Sequence, residues 1–151
     1  MRIVVRTSLL LVLAAGVSAA PAPRNAHVKP ATLSKPTGYT HVVEARGGRT
    51  LYVSGQVALD AAGALVGAGD FKAQTERVFE NLKLALASSR ASFDDVVKIT
   101  IFVTDASQIQ TLREVRDRYF PGEKPASTFV QVVRLARPEF LLEVEAIAVA
   151  D

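Results

Sequence analysis

The stretch "DDVVKITIFVTD", Asp94 to Asp105, decides how the chain is read as a fold. From about Val96 to Val103 its residues are mostly β-branched or aromatic, and only Lys98 and Thr100 interrupt a run that is nearly apolar on both faces. That is a strand. Directly behind it, Asp105 with Gln108 three residues on resembles a capping box, and Ile109, Leu112, Val115 and Tyr119 fall at helical spacing to about Phe120. "PGEKP" then breaks the helix, and "KPASTFVQVVRL", Lys124 to Leu135, returns to β-rich composition with Pro125 at a position a strand's start tolerates. Strand, helix and strand in succession make an αβ unit.

Working outward, the same grammar recurs on both sides. A last strand, Leu141 to Val149, is joined to the strand Ser127–Val133 by "RLARPEF". Its alternation puts Leu142, Val144, Ala146 and Ala148 on one face, suited to packing under helices, and Leu141, Glu143, Glu145, Ile147 and Val149 on the other. Two acids among apolar neighbours place that second face either at a solvated rim or along a cleft or subunit interface. Upstream, Asp70 caps a helix whose Phe71, Val78, Leu82, Ala85 and Leu86 keep helical spacing to about Ser89. Before it, "DAAGALVGAG" reads as a loop. Further upstream, "YTHVVEA" and "TLYVSGQVAL" are β-rich runs separated by "RGGR", where Gly47 and Gly48 can supply the positive φ angles of a hairpin. The order is ββαβαββ, which predicts an α+β fold with a mixed β-sheet and two helices packed on one face.

The beginning of the chain reads differently. "MRIVVRTSLLLVLAAGVSAAPAPRN" sets Arg2 and Arg6 before an apolar run followed by small residues, the pattern of a secretory signal peptide. Val17-Ser18-Ala19 suits the cleavage site. An uncleaved membrane anchor is the rival reading. Residues 20–37 hold four prolines and no periodicity, so they read as a flexible leader before a domain spanning 38–151. A secreted or periplasmic protein follows, with no stable membrane association once the signal is removed.

Composition narrows the chemistry. The signal carries two of the 18 basic residues and no acid, so the mature chain sets 16 against 15. A net charge of that size gives no electrostatic footprint for nucleic acid. There are no cysteines, which removes disulfides, thiolate nucleophiles and thiolate metal sites. The two histidines, His27 and His41, are too few for a histidine-rich metal centre, and no cofactor or metal is expected. "YVSGQ" lacks the G-x-S-x-G elbow, so Ser54 reads as a strand-end turn or a ligand contact and not as a hydrolase nucleophile. The glycine-rich loops match no phosphate-binding pattern. "RDRYF" puts Arg116, Arg118 and Tyr119 on a helix, where a solvated face explains the charges.

Singly these residues name no reaction. In order, Gly38-Tyr39, "YVSGQV" at 52–57, "QTERVFENLKLAL" at 74–86, "DDVVKITIFVTD" at 94–105, "VRDRYFP" at 115–121, "KPAST" at 124–128 and "EVEAIA" at 143–148 resemble the RidA family, also called YjgF or L-PSP. The resemblance covers about Gly38 to Val149. It implies a chorismate-mutase-like fold assembled as a homotrimer, with small-molecule clefts between subunits. In family members that hydrolyse reactive enamines and imines such as 2-aminoacrylate, the "KPAST" segment resembles P-A-R-S, and its arginine holds the substrate carboxylate. Here that position is Ser127. One hydroxyl cannot copy a bidentate, charge-assisted grip, and losing such a bond costs roughly 1.5–3 kcal/mol.

Other positions carry over. Tyr39 matches the family's cleft tyrosine, Ser54 lies in the matching "SGQ", and Glu143 matches the glutamate that orients the hydrolytic water. Phe129 occupies a position whose backbone faces the ligand, and Ser127 and Thr128 line the cleft. Arg134 matches an arginine outside the grip. Whether Arg137, in the connecting loop, or another group takes the arginine's place is left open by the sequence. The resemblance implies a protein that binds, and in its catalytic form hydrolyses, a small imine, enamine or related carbonyl compound, with Glu143 as the catalytic group; the N-terminal pattern adds export, and Ser127 in place of the arginine points to a ligand of neutral or weakly polar character. The alternatives are a retained 2-iminobutanoate/2-iminopropanoate (2-aminoacrylate) deaminase and a non-catalytic metabolite-binding module.

Overall fold

The computed structural model describes residues 25–151, so the signal peptide over 1–19, its cleavage after Ala19 and the first residues of the leader lie outside the described residues. Among the described residues the order is β1 (Asn25–Val28), β2 (Val42–Ala45), β3 (Arg49–Gln56), α1 (Phe71–Ser88), β4 (Val96–Val103), α2 (Ile109–Tyr119), β5 (Ala126–Gln131) and β6 (Leu142–Ala150). The last four strands in this order that share a sheet, β3, β6, β4 and β5, lie side by side in that sequence. β4 and β5 run parallel, as strands joined through a helix do, while β6 is antiparallel to both β3 and β4. The sheet is mixed and both helices cover one face, as the sequence pattern predicts.

The helices form where the apolar spacing and the caps agree. Asp70 Oδ1 accepts a hydrogen bond from Ala73 N at 3.0 Å and so starts α1. Phe71, Val78, Phe79, Leu82 and Leu86 then line its buried face. They meet Ile99, Ile101 and Val103 of β4 and Leu142, Val144, Ala146 and Ala148 of β6 in one core. Each large side chain buried there contributes about 1.5–3 kcal/mol of apolar transfer. An aromatic group closes one end: Phe79 stacks on Tyr119 at 5.2 Å, and Phe93 packs on Tyr119 and Phe120 at 5.0 Å each. Among the described residues no helix is long and apolar enough to cross a membrane.

Three local expectations differ from what forms. Residues 25–28, inside the segment read as a leader without regular structure, are a strand paired with β2. The hairpin expected across Gly47-Gly48 is not made: both glycines have positive φ, 67° and 76°, but β2 pairs with β1 and β3 pairs with β6. A Cβ on Gly48 would lie 2.6 Å from the Ala150 carbonyl oxygen, so the turn is pressed onto the end of β6 and ties β3 there from its first residue. Asp105 caps a 3₁₀ turn at Ala106–Gln108 through Ser107 N, 2.9 Å, and not α2 itself. The reciprocal capping box belongs to Ser92 and Asp95, ahead of β4.

Gly48→Ala tests the turn. The left-handed backbone disfavours a side chain by about 1–2 kcal/mol, and the contact with a backbone oxygen adds to it. Urea unfolding is expected to register a loss of about 2 kcal/mol. An unchanged midpoint would mean that the turn relaxes away from β6.

Candidate functional site

Strand register decides which of the sequence-selected residues can meet. In β5, Ser127 lies opposite Ile99 and Phe129 opposite Ile101, both core residues, so Ser127 and Phe129 look toward the helices. Thr128 lies opposite Thr100, which lies opposite Glu145, while Phe102 lies opposite Glu143. Thr128, Glu143 and Glu145 therefore belong to the other face, which no helix of this chain covers. Ser54 is exposed on that face too, two residues from Tyr52, which is 79% exposed. One chain thus divides the expected set: Tyr39, Ser127 and Phe129 come together, and Ser54, Thr128 and Glu143 stand apart from them.

The first group lines a recess of about 210 Å³ between α2 and β5. Thr40 brings Tyr39 there. It is 1% exposed, its N donates to Pro125 O at 3.1 Å and its Oγ1 to Lys124 O at 2.5 Å, which fastens the segment to the start of β5. Ile101, Leu112 and Phe129 supply the apolar wall, and Arg113 and Arg116 of α2 the polar one. Arg116 is not on a solvated face, as the sequence reading has it, but 5% exposed, because it continues the stripe of half-buried Ile109 and buried Leu112. Its Nε and Nη2 both donate to Asp117 Oδ1, at 2.9 and 2.8 Å. Arg113 donates from Nη2 to Thr37 O at 3.2 Å. Sequence reasoning missed both arginines. The available signal was position: 116 stands seven residues after Ile109 and four after Leu112, on the apolar stripe itself.

On the open face, Glu143 is half-buried and lines a depression of about 420 Å³ with Phe102, Arg134, Leu135 and Ala136. Its side chain lies across Gly55, at the irregularity where the β3–β6 register shifts; a Cβ on Gly55 would sit 1.8 Å from Glu143 Oε1. The glycine makes the notch in which the carboxylate rests. Among the described residues that carboxylate has neither a hydrogen bond nor an ion pair. The Thr128 hydroxyl accepts a hydrogen bond from Lys98 Nζ. Burial lowers the pKa of Lys98, and Glu145 on the neighbouring strand opposes that shift. Arg137 does not swing toward Ser127: its Nη2 lies 2.5 Å from Glu139 Oε1 and its guanidinium rests 4.8 Å over the Phe140 ring.

Comparison with known proteins adds an independent line. Residues 29–150 match the family model described as Endoribonuclease L-PSP. The chain is 44% identical over 112 residues to Protein DfrA of Myxococcus xanthus, covering 74% of this chain and 85% of that protein. It is 39% identical over 115 residues to a RutC family protein of Pyrococcus abyssi, covering 76% and 88%. Among solved structures, the conserved Rid family protein YyfB of Yersinia pestis, itself described as of unknown function, superposes with a TM-score of 0.78 at 36% identity over 84% of this chain and 99% of that one. RidA from the Antarctic bacterium Psychrobacter sp. PAMC 21119 superposes with a TM-score of 0.63 at 33% identity, over 77% and 91%.

Proposed function

The chain belongs to the L-PSP family of Rid proteins, and from that premise we propose that it is an exported homotrimer that hydrolyses a small imine or enamine in clefts between its subunits. Family members are typically homotrimers that bind small molecules. Two features of this chain support a shared cleft. Ser127 and Glu143 look to opposite sides of the sheet, so a single subunit does not assemble them. The open face also carries Tyr52 and Val130 at 79% and 38% exposure, apolar surface of the kind that subunit contacts cover.

The observation that carries the reaction is the Glu143 carboxylate, without a partner among the described residues and seated over Gly55. A water held by that carboxylate gives up a proton to it as its oxygen bonds to the imine carbon, and the imine nitrogen takes a proton. The resulting carbinolamine loses ammonia and leaves the carbonyl compound. The Tyr39, Ser127 and Phe129 recess holds the rest of the substrate. Replacement of the family's arginine by Ser127 favours a second reading, a metabolite-binding module without turnover.

The test is ammonia release from freshly generated 2-aminoacrylate and 2-iminopropionate by the mature chain from Ala20. Because Ser127 leaves the substrate carboxylate without the family's arginine, turnover is expected to be weak in the parent and to vanish in Glu143→Gln at unchanged Tm. Turnover that survives Glu143→Gln would sink the mechanism. An inert parent whose ligand affinity alone responds to Glu143→Gln would make this a binding module. Export is read separately, as loss of residues 1–19 in the secreted or periplasmic fraction.

A further inference from the structure

We propose that the recess between α2 and β5 is a carboxylate site in which Arg116 and Arg113 provide the paired guanidinium grip that Ser127 cannot. The ligand is a small carboxylate with a short apolar group. This deepens the reading above and rests on it only for the class of molecule presented to the cleft.

Charge makes the first argument. The position of a Cβ on Gly38 would be 2.9 Å from Arg116 Nη2 and 3.7 Å from Arg113 Nε, so the two guanidinium groups flank one point. Against these two cations stands one carboxylate, Asp117, and the oxygen that serves Arg116 also faces Lys124 Nζ, at 3.6 Å. Among the described residues Arg113 has no acidic partner, and its bond to Thr37 O leaves its charge uncompensated. No acid lines the recess. Like charges drawn together around a half-buried space favour an anion between them.

Geometry makes the second. The side chain of Arg116 is 6% exposed, and among the described residues both of its hydrogen bonds end on one Asp117 oxygen, through Nε and Nη2. Asp117 thus holds the fork in place, while the opposite edge of the guanidinium, at Nη1, makes no hydrogen bond among the described residues. A guanidinium held rigidly by a neighbour loses less entropy on gripping a carboxylate than a free one does. Ser127 is small enough to leave the volume open, and its hydroxyl adds a donor at the recess wall. Ile101, Leu112 and Phe129 make the other wall apolar, and about 210 Å³ admits only a few heavy atoms. Gly38, with φ of 84°, permits this closeness, because any side chain there would meet Arg116.

The probes are 2-oxobutanoate, a stable 2-oxo acid, and butan-2-one, which has nearly the same apolar part and no carboxylate. Both are titrated calorimetrically into the intact mature protein. We expect 2-oxobutanoate to bind at least 10-fold more tightly than the ketone. Arg113→Gln is expected to weaken 2-oxobutanoate about 10-fold, and Arg116→Gln by 10-fold or more, without effect on the ketone. Arg116→Lys keeps the charge but not the fork and is expected to fall between them. Arg137→Gln, which alters only the pair with Glu139, is expected to stay within 2-fold. Equal affinity for the two probes, binding of neither, or a loss in Arg137→Gln that exceeds the loss in Arg113→Gln would overturn the proposal. These readouts are independent of turnover: a parent without hydrolysis but with carboxylate-selective binding would refute the enzymatic reading and leave this one standing.

Discussion

Gln74→Leu is expected to destabilise the fold by about 3–6 kcal/mol, measured as the change in urea unfolding free energy at constant slope. Gln74 has no exposed surface, and its amide is a three-way junction. Nε2 donates to Gly67 O at 3.1 Å and to Glu139 O at 2.9 Å, and Oε1 accepts from Leu141 N at 2.9 Å. One side chain on α1 therefore holds the loop before the helix and the entry to β6. Leucine fills much the same volume, so the effect isolates the hydrogen bonds from a cavity. Each buried backbone group left unpaired costs about 1–3 kcal/mol. Three are at stake, and some relief from water sets the range. A loss below about 1 kcal/mol would mean that all three find solvent. Because Leu141 N is two residues from Glu143, the substitution is also expected to loosen the placement of that carboxylate.

On the proposed mechanism, Gly55→Ala is expected to lower kcat/KM for imine hydrolysis about 100-fold while moving stability by less than about 1 kcal/mol. The new methyl would fall 1.8 Å from Glu143 Oε1, 2.7 Å from its Cδ and 2.9 Å from its Cγ. The Glu143 side chain must swing aside. Displacement of a reacting group by about 1 Å costs on the order of 10²-fold in rate. The fold is spared for two reasons: Gly55 is not among the residues with positive φ, and what the methyl meets is a flexible side chain and not backbone. Full activity in Gly55→Ala would show that Glu143 does not work from the notch, whereas a large loss of stability would show that the bulge in β3 cannot take a side chain.

How much of this was legible in the residues depends on the range over which each property is set. The helix α1, its Asp70 cap, the strand β4 and the two faces of β6 follow from spacing within one segment, and they form as that spacing predicts. Arg116 misleads because charge and position disagree. Its type argues for solvent, while its place seven residues after Ile109 argues for the core, and Asp117 resolves the conflict by neutralising it there. The strand β1 was hidden because it is short, flanked by prolines, and has no apolar face to declare it.

What the sequence by itself determined is the succession of αβ units, the inward and outward sides of each element, and the family to which they belong. Side-chain periodicity acts over a few residues, so it is written locally. Tertiary structure alone decided that β2 pairs with β1 and not with β3, that Ser127 and Glu143 look to opposite sides of one sheet, and that two arginines of α2 close on the space left by Ser127. Each of those is a relation between segments far apart in the chain. It depends on register and on which charges end up facing one another, and no local pattern encodes it.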